Sequence, residues 1–228
     1  MPADISAASS HISGAYGSEP SSVSISTSSL KVLMDKLGAL TALVLLSPVL
    51  GAVALTLYLT QKGPIFFSHT RVGKDGREFG CLKFRTMVPE AAEMLAEILD
   101  SDPIARQEWE ENFKFENDPR VTRVGAILRK TSLDELPQIW NVLRGDMSLV
   151  GPRPITHAEG EMYGIHYSEY KSVRPGLTGL WQVSGRSDTT YDERVALDVD
   201  YVRNLSFFSD LRILFATVSI VLRRTGAH

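Results

Sequence analysis

The longest apolar run in the chain extends from Leu37 to Leu59 and contains 23 residues without a charge. As a helix it would measure about 35 Å, which is enough to cross the hydrocarbon core of a bilayer. Ser47-Pro48 lies at its centre, where proline removes a backbone donor. The pattern predicts a membrane helix that bends there, with the Ser47 hydroxyl bonding a carbonyl freed by Pro48. A buried core helix that tolerates the proline is the alternative.

Basic residues flank this run on both sides, namely Lys31 and Lys36 before it and Lys62, Arg71 and Lys74 after it. Basic residues are retained on the cytoplasmic side of a membrane. This positive-inside rule is best satisfied here if both ends of the run lie on the cytoplasmic side. We therefore predict that residues 30–62 form a re-entrant hairpin broken at Ser47-Pro48. Residues 63–228 would then form a cytoplasmic domain.

Shorter patterns divide the rest of the chain into helices and one hairpin. Two short segments, residues 65–70 and 79–83, are separated by the turn residues Gly73 to Gly76 and predict a β-hairpin. Helical spacing predicts one helix over 89–100 and another after Asp102-Pro103. The ten uncharged residues 213–222 are too few to span a bilayer and favour an interfacial or a core helix. The fold class is therefore α/β, mostly helical with a small β-hairpin or sheet.

Composition narrows the function classes further. Eleven of the first 29 residues are serine, which predicts a disordered tail over 1–29. A net charge of −3 argues against a nucleic-acid partner, and the single Cys81 excludes an intrachain disulfide or a cysteine zinc site. The spacing of His69, His157 and His166 matches no metal motif, so they are assigned to the surface or to packing.

The densest polar motif runs from Arg129 to Gln138 and contains Asp134 and Glu135. Ser132 with Glu135 three residues later matches a capping box, so the two carboxylates could simply serve a helix start. However, six basic residues stand against three acidic ones between Arg120 and Arg153. This favours an ionised carboxylate able to attack phosphorus, with Mg²⁺ relieving the repulsion between the pair.

Two glycine- and proline-rich loops support phosphate chemistry. Residues 151–154 fix Arg153 between two prolines, which limits the freedom lost when it binds an anion. Residues 174–186 hold three glycines between two arginines and allow close approach of a ligand to the backbone. A rigid turn would explain either loop equally well.

Taken in order, the motifs resemble those of the bacterial sugar transferases, also called monotopic phosphoglycosyl transferases. The resemblance covers about Lys31 to Arg224 and rests on the Ser-Pro membrane segment and on the following runs: KFRTM at 83–87, TSLDELPQ at 131–138, GPRP at 151–154, RPGLTG at 174–179 and LDVDYV at 197–202. It implies a re-entrant helix, interfacial helices and a catalytic domain on the cytoplasmic face of the bacterial inner membrane.

The resemblance also implies an activity and residue roles. A UDP-sugar would donate hexose 1-phosphate, with galactose favoured over glucose, to undecaprenyl phosphate in the phospholipid membrane, releasing UMP as exopolysaccharide assembly begins. Asp134 would be the nucleophile and Glu135 would assist with Mg²⁺. By the same resemblance, the family's substrate-binding positions correspond to Lys83, Arg129, Arg153, Arg186 and Asp198. If residues 197–202 are extended, Asp200 lies on the same side as Asp198.

Two other functions remain open from the sequence alone. A Leloir-type glycosyltransferase would use the same donor and metal but release UDP. A non-catalytic membrane scaffold of polysaccharide assembly would use the arginines for protein docking. The identity of the sugar and a homodimeric state are also left open.

Overall fold

A computed structural model describes residues 29–112, 115, 117–184 and 190–223. The described chain is mostly helical, with one long apolar helix at its amino end and two small two-stranded sheets. The predicted tail at 1–29 lies outside the described residues except for Ser29. The helices are α1 Ser29–Thr60, α2 Ala91–Ser101, α3 Pro103–Asn112, α4 Arg123–Lys130, α5 Gln138–Arg144, α6 His157–Glu161, α7 Tyr167–Lys171, α8 Leu180–Ser184, α9 Tyr191–Arg203 and α10 Phe207–Arg223; the strands are β1 Phe66–Val72, β2 Glu78–Phe84, β3 Ser148–Val150 and β4 Gly176–Thr178.

Helix α1 contains Pro48 and continues through it for a total of 32 residues. The Ser47 hydroxyl donates to the Val44 carbonyl at 2.8 Å. Val44 lies four residues before Pro48, so this is the carbonyl that proline leaves without its helical partner. The predicted role of Ser47 is confirmed. The hairpin turn at Ser47-Pro48 is not confirmed, because the segment is assigned as one helix, long and apolar enough by length and composition to cross a membrane.

The amino half of α1 is fixed to the domain by buried charges. Lys31 Nζ lies 2.6 Å from an Asp210 carboxylate oxygen on α10 and 3.0 Å from the Val150 carbonyl. One turn later, an Asp35 oxygen accepts a hydrogen bond from the Ser148 hydroxyl at 3.0 Å. Helix α1 therefore joins β3 and α10 through its first two turns.

The carboxyl half of α1 rests on a different part of the same domain. Leu57 is 2% exposed and belongs to a core cluster with Phe84 and Leu128. Just after the helix, Gln61 Nε2 donates to Thr122 Oγ1 at 2.8 Å. Both ends of α1 thus contact the domain, while Ser47 and Pro48 between them are exposed.

The predicted hairpin is confirmed as β1 and β2, which pair antiparallel from Phe66 with Phe84 to Val72 with Glu78. Its turn places Asp75 and Gly76 at positive φ. Asn141 of α5 binds the middle of β2 twice, donating to the Gly80 carbonyl at 2.8 Å and accepting from the Leu82 amide at 3.0 Å. These bonds fix the strand that carries Lys83.

The main core lies between α1, α5, the β3–β4 pair and the last two helices, and contains residues such as Ala39, Ile139, Val142 and Tyr201. The helices predicted over 89–100 and after residue 102 are found as α2 and α3. Residues 197–202, considered as an extended segment, are helical within α9. Asp198 and Asp200 therefore do not share a side as they would on a strand. Thr190 and Glu193 form the capping box that starts the helix.

Candidate active site

Asp134 and Glu135 lie in a tight bend between two helices. After α4, Ser132 adopts a left-handed conformation with φ of 55°, and a single 3₁₀ turn covers Leu133–Glu135 before α5 begins at Gln138. The Ser132 side chain makes no capping hydrogen bond, so the predicted capping box is wrong. The bend directs the Glu135 side chain toward strand β2 instead.

Glu135 forms an ion pair with Lys83, whose Nζ lies 2.7 Å from Oε1. Both side chains keep partial exposure, 28% for Glu135 and 22% for Lys83. Burial alone would raise the pKa of Glu135, but the charges of Lys83 and then Arg153 outweigh it and lower the pKa to about 2. Glu135 is therefore ionised throughout the physiological range.

Asp134 is more buried than Glu135 and is only 7% exposed. It forms no ion pair within the described part of the chain. Burial, followed by the charge of Glu135, raises the pKa of Asp134, while Lys83 and Arg129 act in the opposite direction. The sequence predicted that surrounding cations would favour its ionised form; Lys83 and Arg129 do act in that direction, but burial and Glu135 outweigh them in the net shift of the pKa. A desolvated carboxylate is a stronger nucleophile than a fully solvated one.

A narrow polar cleft opens in front of Glu135 and Lys83. Three cationic side chains line it, which makes it suited to a phosphate group. The lining residues are Arg71, Cys81, Lys83, Glu135, Gln138, Arg153, Pro154, Gly176, Leu177 and Gln182.

The two loops predicted from glycine and proline meet behind this cleft. Gly151 N–H donates to the Thr178 carbonyl at 2.9 Å, and Gly176 N–H donates to the Pro152 carbonyl at 2.8 Å. A Cβ on Gly176 or Gly179 would collide with the backbone of Gly151. The glycines are thus needed for close contact between the loops, and that contact holds Arg153 at the cleft wall.

The other predicted site residues, Arg129, Arg186 and Asp198, are not found on the wall of the cleft within the described part of the chain. Arg129 is exposed and donates from Nε to Thr86 Oγ1 at 3.0 Å, away from the cleft wall. Arg186 lies outside the described residues. Asp198 is 1% exposed, accepts from the Tyr163 hydroxyl at 2.7 Å, and is buried behind the cleft rather than on its wall. Burial raises the pKa of Asp198 to about 6, although the Tyr163 hydrogen bond and Arg194 act against the shift.

Sequence reasoning missed a second layer of charges around Arg71. The Arg71 guanidinium donates to Glu159 at 2.8 Å, and Arg194 lies 3.7 Å from the other oxygen of that carboxylate. Trp181 stacks between this layer and the cleft, with both Arg153 and Arg194 near its ring. The sequence identifies Arg71 only as a basic residue flanking the membrane segment, and its position just after the predicted strand 65–70 gives no sign of its partner.

Few groups in the described residues suit a metal ion. Among them no cluster of three or more histidine, cysteine or acidic side chains could hold one. The three histidines lie beside charged partners: His69 by Arg71, His157 by Glu78 and His166 by Glu169. Asp134 and Glu135 remain as two adjacent carboxylates, a donor set that suits Mg²⁺ when phosphate oxygens complete its shell.

Several known proteins are similar in sequence to this chain over most of its length. The UDP-galactose-lipid carrier transferase of Erwinia amylovora is 52% identical over 201 residues, which are 87% of this chain and 42% of that protein. The undecaprenyl-phosphate galactose phosphotransferase of Salmonella typhimurium is 51% identical over 204 residues, with 87% and 42% covered. The chain thus spans about two fifths of the length of these two relatives.

A shorter relative is matched almost from end to end. The exopolysaccharide production protein ExoY of Rhizobium meliloti is 48% identical over 194 residues, covering 85% of this chain and 86% of that protein. A model of the bacterial sugar transferase family matches residues 26–224. Since both matches include the Asp134–Glu135 bend and the whole cleft wall, the chain belongs to the bacterial sugar transferase family.

Proposed function

We propose that this chain is a phosphoglycosyl transferase that moves galactose 1-phosphate from UDP-galactose to undecaprenyl phosphate, as the first step of exopolysaccharide repeat-unit assembly. The proposal is carried by one observation: Asp134 is buried, has no ion-pair partner among the described residues, and is followed by an ionised Glu135 at a cationic cleft. Galactose is chosen because the relatives from Erwinia amylovora and Salmonella typhimurium are both named for galactose transfer.

The reaction proceeds in two displacements at one phosphorus. An Asp134 carboxylate oxygen attacks the β-phosphorus of the donor, the bond to the bridging oxygen breaks, and UMP leaves with that oxygen. A phosphate oxygen of undecaprenyl phosphate then attacks the same phosphorus and releases Asp134. Arg153 and Arg71 lie where they would offset charge on the diphosphate, and Lys83 keeps Glu135 oriented.

Magnesium is the proposed cofactor. Asp134 and Glu135 would hold it, and when bound it would neutralise charge on the diphosphate and favour the departure of UMP. The remaining contribution of these residues is independent of the metal: Glu135 stays ionised at its low pKa, and Asp134 is held in a partly dry position.

The proposed location is the cytoplasmic face of the bacterial inner membrane, with α1 entering and leaving on the same side. Support comes from its two ends, because Lys31 is bound to Asp210 and Leu57 packs on Phe84 of the same domain. A straight helix of 32 residues would be about 48 Å long and would separate those ends across the bilayer.

Helix α10 is proposed to lie at the membrane surface beside α1. Its residues Phe208, Phe215 and Val218 are 80%, 73% and 57% exposed, although they are apolar. Asp210 and Ile213 on its other face are buried in the domain. An exposed apolar face that continues the surface of an apolar membrane helix is suited to the lipid interface.

The nucleotide product separates this proposal from its alternatives. Purified protein is incubated with Mg²⁺, undecaprenyl phosphate and each of UDP-galactose, UDP-glucose and an N-acetylated UDP-hexose. Release of UMP, fastest with UDP-galactose, is expected. Release of UDP would identify a Leloir-type glycosyltransferase, and no nucleotide release would favour a scaffold.

A further inference from the structure

Arg153 differs from the other cations of the cleft in having no carboxylate partner. Lys83 is paired with Glu135 at 2.7 Å and Arg71 with Glu159 at 2.8 Å. Within the described residues, the Arg153 guanidinium forms neither an ion pair nor a side-chain hydrogen bond. Its recorded contact is with the indole of Trp181, whose ring centre lies 5.5 Å from Arg153 Cζ.

An aromatic ring and a carboxylate orient a guanidinium in different ways. A carboxylate occupies the N–H groups and neutralises the charge, so it competes with a phosphate for the same edge. A ring contacts the face of the group and leaves its N–H edge and full charge available. Trp181 therefore holds Arg153 in a form that can still bind an anion.

Trp181 is itself fixed from the side of α9. Arg194 Cζ lies 5.0 Å from the Trp181 ring centre and 4.9 Å from that of Tyr191. Arg194 is only 8% exposed, and its Nε and Nη2 have no hydrogen-bond partner, so ring contacts and the 3.7 Å approach to Glu159 are what hold it. Guanidinium groups and rings thus alternate from the cleft wall to α9 in the order Arg153, Trp181, Arg194 and Tyr191.

We infer that Trp181 is a positioning residue that orients Arg153 toward the diphosphate of the donor without neutralising it, and that Arg194 supports Trp181 from behind. The inference rests on the proposed use of a UDP-sugar and adds to it two residues, neither of which touches the substrate. It requires that Trp181 act through Arg153 alone. That requirement is measurable, since residues acting as a unit do not give additive losses.

The test is a double-mutant cycle with Arg153→Met, Trp181→Leu and the combined variant. KM for UDP-galactose and kcat are measured from UMP release, and the affinity for UDP is measured by calorimetry. We expect Trp181→Leu to raise KM and weaken UDP binding by about three- to thirtyfold, with kcat changed much less. The combined variant should match Arg153→Met alone within about twofold, as for residues that act as a unit.

Three further variants exclude a merely structural effect. Trp181→Phe keeps a ring face and should restore KM to within about threefold of the wild type. Arg194→Lys keeps the charge but loses the planar stack, so its KM should rise as in Trp181→Leu. Trp109→Leu breaks a comparable stack with Arg120, where the ring lies 5.2 Å from Cζ outside the cleft, and should leave KM and UDP affinity unchanged.

Two results would overturn the inference. In one, the fold-losses of UDP affinity in the two single variants multiply in the combined variant; in the other, Trp181→Leu leaves the UDP affinity unchanged. A wild-type protein that binds UDP but releases no UMP would instead contradict the proposed function. The binding cycle would in that case still decide whether Trp181 acts through Arg153.

Discussion

Lys83 Nζ lies 2.7 Å from Glu135 Oε1, and this pair joins residues that are 52 positions apart in the sequence. The contact orients one carboxylate of the dyad and lowers its pKa to about 2, which leaves the neighbouring Asp134 without a cation of its own. The two adjacent acids thus have different environments, and the proposed division of labour between nucleophile and supporting carboxylate follows from that difference.

Replacement of Lys83 by Met should lower kcat/KM at neutral pH by about ten- to hundredfold, because a charge-assisted hydrogen bond contributes about 1.5 to 3 kcal/mol. The acidic limb of the pH–rate profile should also move to higher pH, since Glu135 would lose the largest influence that lowers its pKa. Lys171→Met removes the same charge from a side chain that contacts the Tyr167 ring and should leave the profile unchanged. An unshifted profile in Lys83→Met would contradict the assigned role.

The topology of α1 is tested with single cysteines at Ser29 and Lys62 in a Cys81→Ser background. Both positions should be protected from an impermeant thiol reagent until the inner membrane is opened, because both ends of the helix are proposed to be cytoplasmic. Replacing Ser47 and Pro48 together by Leu should expose position 29, since an uninterrupted 23-residue run is long enough to cross. Labelling of position 29 in the unmodified helix would show a span instead.

Asp210→Asn should also weaken the docking of the amino half of α1. The Lys31–Asp210 pair has side chains 7% and 0% exposed, and loss of one partner from such a pair costs about 3 to 5 kcal/mol. Labelling of a cysteine at position 29 should therefore increase. The positive-inside rule counts Lys and Arg and predicts no change. Asp200→Asn, at an exposed position, is the matched control, and equal labelling of the two variants would refute docking through Asp210.

Asp198 should make the stability of the domain dependent on pH. Burial raises its pKa from 3.8 to about 6 in the folded protein. The folded state therefore binds the proton more tightly, and this stabilisation, worth about 3 kcal/mol below pH 4, is lost as the pH rises through 6. Asp198→Asn, which mimics the protonated form, should gain in Tm over the wild type between pH 4.5 and 7. A Tm difference that is constant with pH would argue against a raised pKa.

Local patterns predicted the features that depend on neighbouring residues. The length of α1 and the bond from Ser47 to the Val44 carbonyl follow from helix geometry and the missing proline donor. The β-hairpin follows from two short segments on either side of a glycine turn. The dyad motif was also recognised, because Asp134 and Glu135 are adjacent in a basic stretch.

Features that depend on distant partners were not predictable in the same way. Ser132 and Glu135 satisfy the local capping pattern, but the stronger contact with Lys83 on β2 takes the glutamate away from the helix start. Arg71 and Glu159 are 88 positions apart, so no local pattern indicated their pairing. Asp198 was carried over as a binding position, and its burial could not be predicted because it depends on how α9 packs against the rest of the domain.

The covalent intermediate is the most direct test of the central claim that Asp134 is the nucleophile. Wild-type protein is mixed with UDP-galactose and Mg²⁺ without undecaprenyl phosphate, quenched rapidly and digested with trypsin, and the peptide spanning residues 131–144 is examined by mass spectrometry. The peptide should carry one hexose phosphate on Asp134, and Asp134→Asn should carry none while its turnover falls by several orders of magnitude. A hexose phosphate on another residue, or Asp134→Asn activity within about tenfold of the wild type, would contradict the account.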